Sequence, residues 1–100
     1  MRFYPGGAFD SQGRLNIKSY APLLTGRTVM VYTTDDNFDL IHVDSYDGKP
    51  GVPECAIRKI DDKGRFVCPK VLRRDADYAL VSVDTPGKIV LKLMWNEGPG

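Results

Sequence analysis

The chain has 100 residues, 42% apolar and 27% charged, with a formal net charge of +1. That length supports one hydrophobic core but not two independent ones, the composition is that of a globular chain rather than a disordered one, and no apolar run approaches the roughly 20 residues of a membrane helix. The opening segment Met1-Arg2-Phe3-Tyr4-Pro5-Gly6-Gly7 lacks the apolar stretch of a signal peptide, so a cytoplasmic location is the default expectation.

In chain order, a short strand runs into Asp10-Ser11-Gln12-Gly13, where glycine supplies the positive φ of a tight turn and aspartate can cap it. A second short strand follows over Arg14–Ile17, then one or two helical turns over Ser19–Leu24. Two longer strands, Thr28–Thr34 and Phe38–Asp44, flank the turn Asp35-Asp36-Asn37. The stretch Ser45–Pro53, with Gly48, Pro50, Gly51 and Pro53, reads as a linker. The same series then recurs: a short strand into Asp61-Asp62-Lys63-Gly64, a strand over Arg65–Cys68, and a helical turn over Pro69–Arg74. Pro69 suits a first helical position, where a missing N–H costs nothing. Strands Tyr78–Asp84 and Lys88–Trp95 close the series around Thr85-Pro86-Gly87.

The recurrence holds residue by residue. Asp10, Gly13 and Arg14 match Asp61, Gly64 and Arg65 at an offset of 51, and after one deleted residue Val29–Thr33 matches Ala79–Val83 at an offset of 50. This sets copy one at about residues 6–44, a linker at 45–54 and copy two at about 55–95, within one domain. A single copy cannot bury its apolar faces, because two hairpins of short strands are marginal alone. Two copies packed about an internal two-fold axis can interleave, which predicts a mainly β, closed barrel with no exposed strand edges and one short helix per copy.

Charge is unevenly placed. Residues 1–50 hold five Lys/Arg against six Asp/Glu, residues 51–100 nine against seven, and seven of those nine fall between Arg58 and Arg74. Arg58, Lys59, Lys63, Arg65, Lys70, Arg73 and Arg74 therefore form a candidate surface for a polyanion, against the alternative of a solvated face partly neutralised by Asp61, Asp62 and Asp75. Arg14 and Arg65 are kept in both copies, which also suits a structural role, such as an ion pair with Asp61 or Asp10 of the opposite copy.

Other residues exclude more than they suggest. Cys55 and Cys68, with His42 as the lone histidine, are too few for a zinc site and read as reduced thiols, bridged only if neighbouring strands bring them together. Tyr4, Tyr20, Tyr32, Tyr46 and Tyr78 do not interleave with the basic cluster and read as barrel and rim residues; His42 reads as a half-exposed strand residue. Asp35, Asp36 and Asp39 read as solvated turn charges, since EF-hand spacing is absent. No Ser-His-Asp set, cysteine–histidine pair or glycine-rich phosphate loop before a helix is present, so neither conventional catalysis nor a cofactor is expected.

The segment from Arg58 to Arg74, RKIDDKGRFVCPKVLRR, resembles the signature of the AbrB/SpoVT family, R-K-[V/I]-D-x-x-G-R-[V/I]-x-[I/L]-P-x-x-[L/I]-R, and with the fainter first copy the resemblance spans about residues 8–95. It implies a swapped-hairpin (double-psi-like) barrel that binds duplex DNA as a transcriptional regulator, with two tandem copies in one chain as in MraZ-type cell-division regulators. By position it implies DNA contacts at Arg58, Lys59, Arg65, Arg73 and Arg74. Cys68 stands where the family has Ile or Leu, and the family's L-G-[I/L]-x-x-G-D stretch is contracted to Asp75-Ala76-Asp77, so a different helix exit is expected. In copy one, Gly7, Ala8, Gln12, Ser19, Pro22 and Leu23 stand opposite Arg58, Lys59, Lys63, Lys70, Arg73 and Arg74, so only Arg14 joins the DNA-contacting set. The alternative is a protein-interaction module, antitoxin-like or an adaptor; an antitoxin is expected to carry a disordered C-terminal arm, and the last strand is followed here only by Asn96–Gly100. A homodimer of whole chains would restore a symmetric DNA-reading surface.

Overall fold

Runs rich in β-branched residues, such as Thr28-Val29-Met30-Val31-Tyr32-Thr33-Thr34, favour pleated backbone, and strands dominate the chain. A computed structural model describes residues 2–34, 36–48 and 55–96. Its strands are β1 (Tyr4–Ala8), β2 (Arg14–Asn16), β3 (Thr28–Thr34), β4 (Asn37–Ser45), β5 (Ala56–Lys59), β6 (Arg65–Val67), β7 (Tyr78–Thr85) and β8 (Lys88–Met94). A 3-10 turn covers Pro22–Leu24 and a short helix, α1, covers Lys70–Arg73. Linker residues 49–54, the turn residue Asp35 and residues 97–100 lie outside the described residues.

Six strands form one antiparallel sheet in the order β1-β7-β8-β4-β3-β5, and β2 pairs with β6 in a separate ladder. The order reads the same from either edge once the copies are exchanged. Each copy's first strand pairs with the other copy's third: β1 with β7 (Gly7 opposite Ala79) and β5 with β3 (Arg58 opposite Val29). The central pairings set equivalent residues face to face, Ile41 against Leu91 in β4–β8 and Leu15 against Phe66 in β2–β6.

The alternation of side chains fixes the core. Val29, Val31, Ile41, Val43, Ala79, Val81, Ile89, Leu91 and Leu93 share one sheet face and are buried. Leu15 and Phe66 project from the ladder onto that face, joined by Ile17, Leu24, Ile60 and Cys68. Full burial of a side chain of this size contributes about 1.5–3 kcal/mol, so the ladder is held chiefly by Leu15 and Phe66. On the other sheet face Met30, Tyr32, Ser82 and Val90 are also buried, with Tyr32 stacked on half-buried His42 at 5.1 Å between ring centroids.

The closed barrel expected from the sequence is not formed. The six-stranded sheet ends at β1 and β5, and the ladder lies against both edges as a second sheet. The reason is local. Asp10 N–H donates to Arg14 O and Asp61 N–H to Arg65 O, each at 2.9–3.1 Å, so the backbone entering the ladder closes its own turn. On β1, Pro5 has no N–H and the register shifts between Pro5 and Gly7.

The helical expectations are met in reduced form. In copy one only Pro22–Leu24 is helical, because proline disfavours helical backbone in the residue before it. The exit of α1 differs as the contraction implied: Arg74 and Asp75 adopt φ of 45° and 58°, without a glycine.

Candidate functional site

The β2–β6 ladder and its two turns organise the basic residues. Each Asp-x-x-Gly-Arg turn is built alike. Asp10 Oδ1 accepts the Gln12 and Arg14 backbone N–H groups, both at 2.9 Å, while Arg14 Nε donates to Asp10 Oδ2 at 2.7 Å. In copy two, Asp61 Oδ1 accepts Lys63 N–H at 3.0 Å and Arg65 N–H at 2.8 Å, and Arg65 Nε donates to Asp61 Oδ2 at 3.0 Å. These bonds, led by the backbone N–H of Arg14 or Arg65, hold both carboxyls below the ordinary carboxylate range. The ion pairs therefore lie within a copy. A pairing of Arg14 or Arg65 with the opposite copy is not what the chain makes, because a residue four positions back on the same turn already presents its carboxylate.

The copies meet instead through backbone. Ile17 N–H donates to Gly64 O at 2.9 Å and Cys68 N–H to Gly13 O at 3.0 Å, while Asn16 Nδ2 donates to Lys63 O at 3.1 Å. Each turn thus packs against the segment that follows the other copy's ladder strand. Gly13 lies under the Arg73 guanidinium: a Cβ there would fall 2.8 Å from Arg73 Cζ. Gly64 lies on Lys18, whose Cα would be 3.0 Å from such an atom.

On the ladder's outer face, Arg14 stands opposite Val67 and Asn16 opposite Arg65. Arg14 and Arg65 are diagonal neighbours on that face, a relation that spans about 7–8 Å in antiparallel pairs. Lys63 and Lys70 are exposed beside them, Lys18 is exposed against Gly64, and Lys59 is exposed at the end of β5. Arg58, half-buried on β5, bonds the neighbouring Ile57 O at 2.9 Å and no other group among the described residues. Arg73 Nε is buried without a hydrogen-bond partner. Among the described residues the ion pairs are Arg14–Asp10, Arg65–Asp61, Arg74–Asp39 and Lys88–Asp84, so Lys18, Arg58, Lys59, Lys63, Lys70 and Arg73 face no carboxylate partner.

Charge is polarised accordingly. Residues 9–20 and 60–73 carry six Lys/Arg against three Asp/Glu, a net of +3, which leaves the other 74 residues at −2 within the chain's +1. The two halves of the sequence hide this because the positive region draws on both.

Arg74 is placed elsewhere. Its guanidinium pairs with Asp39, bonds Phe38 O at 3.2 Å and lies 5.2 Å from the Trp95 ring, whose Nε1–H donates to Arg74 O at 3.1 Å. With φ of 45° it locks the exit of α1, and Asp39, exposed as expected, lies on β4 and also serves as its ion-pair partner. Lys18 is the converse: copy comparison sets it opposite Pro69, not opposite a basic residue, and it follows β2 directly enough to lie against Gly64.

Cys55 and Cys68 are free thiols, half-buried and buried. Burial pushes the Cys68 thiol up to about 12, against the opposing charges of Arg73 and Arg58. Among the described residues no three His, Cys, Asp or Glu side chains gather as a metal site, and no helix is long and apolar enough to cross a membrane. Compared with family models, curated proteins and solved structures, the chain matches none.

Proposed function

We propose that this chain is a duplex-DNA-binding transcriptional regulator of the AbrB/SpoVT type, two swapped-hairpin copies in one polypeptide, acting in the cytoplasm. Three things support the kinship: the Arg58–Arg74 signature, the repeat, and the exchange of first strands between copies. The observation that carries the function is the set of cations around the ladder that have no carboxylate partner among the described residues, on a chain that is net negative elsewhere. Phosphates are the ligand such a surface fits, and their contacts supply affinity. Lys59, Lys63, Lys70, Arg73 and Arg58 come from copy two and Lys18 from copy one, and Arg14 and Arg65 stand on the ladder itself; Arg74 holds the helix exit.

The test is anisotropy of a labelled random duplex across a salt series. With five phosphate contacts the slope of log K against log salt is about −4.5, which weakens binding roughly 500-fold between about 50 and 200 mM. Lys63→Glu with Lys70→Glu flattens the slope; no binding at about 50 mM salt refutes the proposal.

A protein-interaction module is the second reading, favoured by the exposure of Val67 (45%) and Val71 (80%) beside these cations. It predicts a salt-insensitive protein partner and no salt-dependent DNA affinity. Light scattering with and without duplex tells one chain per site from a homodimer.

A further inference from the structure

We infer that Asp10 and Asp61 are positioning residues, each holding an arginine by Nε so that its Nη edge is presented outward as a fixed fork, and that the resulting pair, Arg14 and Arg65, reads base edges of a duplex across the internal two-fold axis. The inference rests on the DNA-binding reading and divides its labour: unpartnered lysines grip phosphates, and the clamped arginines discriminate sequence.

Four observations carry it. Each carboxylate uses one oxygen for two backbone N–H groups and the other for the arginine Nε, so the carboxylate is itself fixed by the turn before it fixes the arginine. The arrangement recurs in both copies although copy one lacks most other basic residues, so it does not depend on the cationic cluster. The ladder register puts both arginines on one outward face beside Asn16, while Leu15 and Phe66 point inward, 1% exposed each. No other hydrogen bond engages either guanidinium among the described residues, so their Nη groups are left to a ligand. An arginine fork matches the O6/N7 edge of guanine bidentately, and a fork immobilised beforehand loses less side-chain entropy on binding. Lysines on flexible stems act as point charges and carry no such directional information.

The test uses the full chain and two duplexes, one selected from a random pool by the wild-type protein and one scrambled. Asp10→Asn with Asp61→Asn keeps a side-chain oxygen for the turn N–H groups but puts an amide where Oδ2 accepted the guanidinium. The expected result is that scrambled duplex is bound at least as tightly, the salt slope is unchanged, and preference for the selected duplex falls by about tenfold or more, the scale of one good bidentate contact. Arg14→Lys with Arg65→Lys, which keeps charge and loses the fork, gives the same loss. Independently of DNA, the Arg14 and Arg65 Nε–H signals in wild-type NMR spectra are protected from exchange and lose that protection in the Asn variant. Unchanged preference in the Asn variant, a wild type that binds duplexes without preference, or unprotected Nε–H signals overturns this inference alone. A wild type that binds no duplex overturns the parent reading with it.

Discussion

Gly64 tests how the two copies lock together. Its φ is +84°, and an added Cβ would lie 3.0 Å from Lys18 Cα and 3.1 Å from Lys18 N. Those atoms are backbone, and the preceding Ile17 N–H is bonded to Gly64 O at 2.9 Å, so neither side can withdraw without breaking the contact between copies. For Gly64→Ala, left-handed backbone on a residue with a Cβ costs roughly 1–2 kcal/mol, and overpacking adds about 1–3 kcal/mol. The lower entropy of the unfolded alanine chain offsets about 0.4–1 kcal/mol of this strain. The net is a loss of about 2–4 kcal/mol, or roughly 10–30 °C in Tm for a domain of this size. Gly26→Ala is the control: its φ is +77°, but a Cβ there meets nothing within 4 Å, so strain acts alone and the loss stays near 1 kcal/mol. Urea unfolding followed by circular dichroism measures both. Equal losses for the two variants, within about 0.5 kcal/mol, would refute the close approach of the copies at Lys18.

Two further outcomes follow from buried groups. Burial, aided by Lys88 and opposed by Asp36, Asp84 and Asp44, lowers the His42 pKa below 6.5. The unfolded chain therefore takes up that proton first, so the contribution to stability is complete above 6.5 and is lost as pH falls through the folded value. NMR titration of the single histidine gives a midpoint below 6.5, and a midpoint at or above 6.5 contradicts the packing against Tyr32. Cys68, with its thiol near 12, resists iodoacetamide at pH 8 while Cys55 reacts, and becomes labelled only on unfolding; native labelling of Cys68 at the rate of Cys55 would contradict its burial.

The strands were legible because β-branched runs alternate with turn residues, and the observed bounds of β3 (Thr28–Thr34) coincide with the expected ones. The Asp-x-x-Gly-Arg turns were legible for the same local reason. What the sequence could not show is which partner each charge takes. Arg14 and Arg65 looked free to pair across copies, but a carboxylate four residues back is satisfied locally. Arg74 reads as one more cation of a cluster until α1 carries it to Asp39, 35 residues away in sequence. Lys18 carries no motif, and its contact with the other copy follows from the bond of Ile17 N–H to Gly64 O. The barrel expectation assumed that strand edges must be paired, whereas here the turn hydrogen bonds and Pro5 satisfy or remove the groups that closure would use.

The most direct test is a backbone-amide NMR titration of the full chain with random duplex DNA at low salt. Shifts are expected to be confined to residues 12–19 and 58–73, on both sides of the ladder, with the β7–β8 hairpin end at residues 84–88 unmoved. Shifts centred on that hairpin, or none at all at low salt, would contradict it.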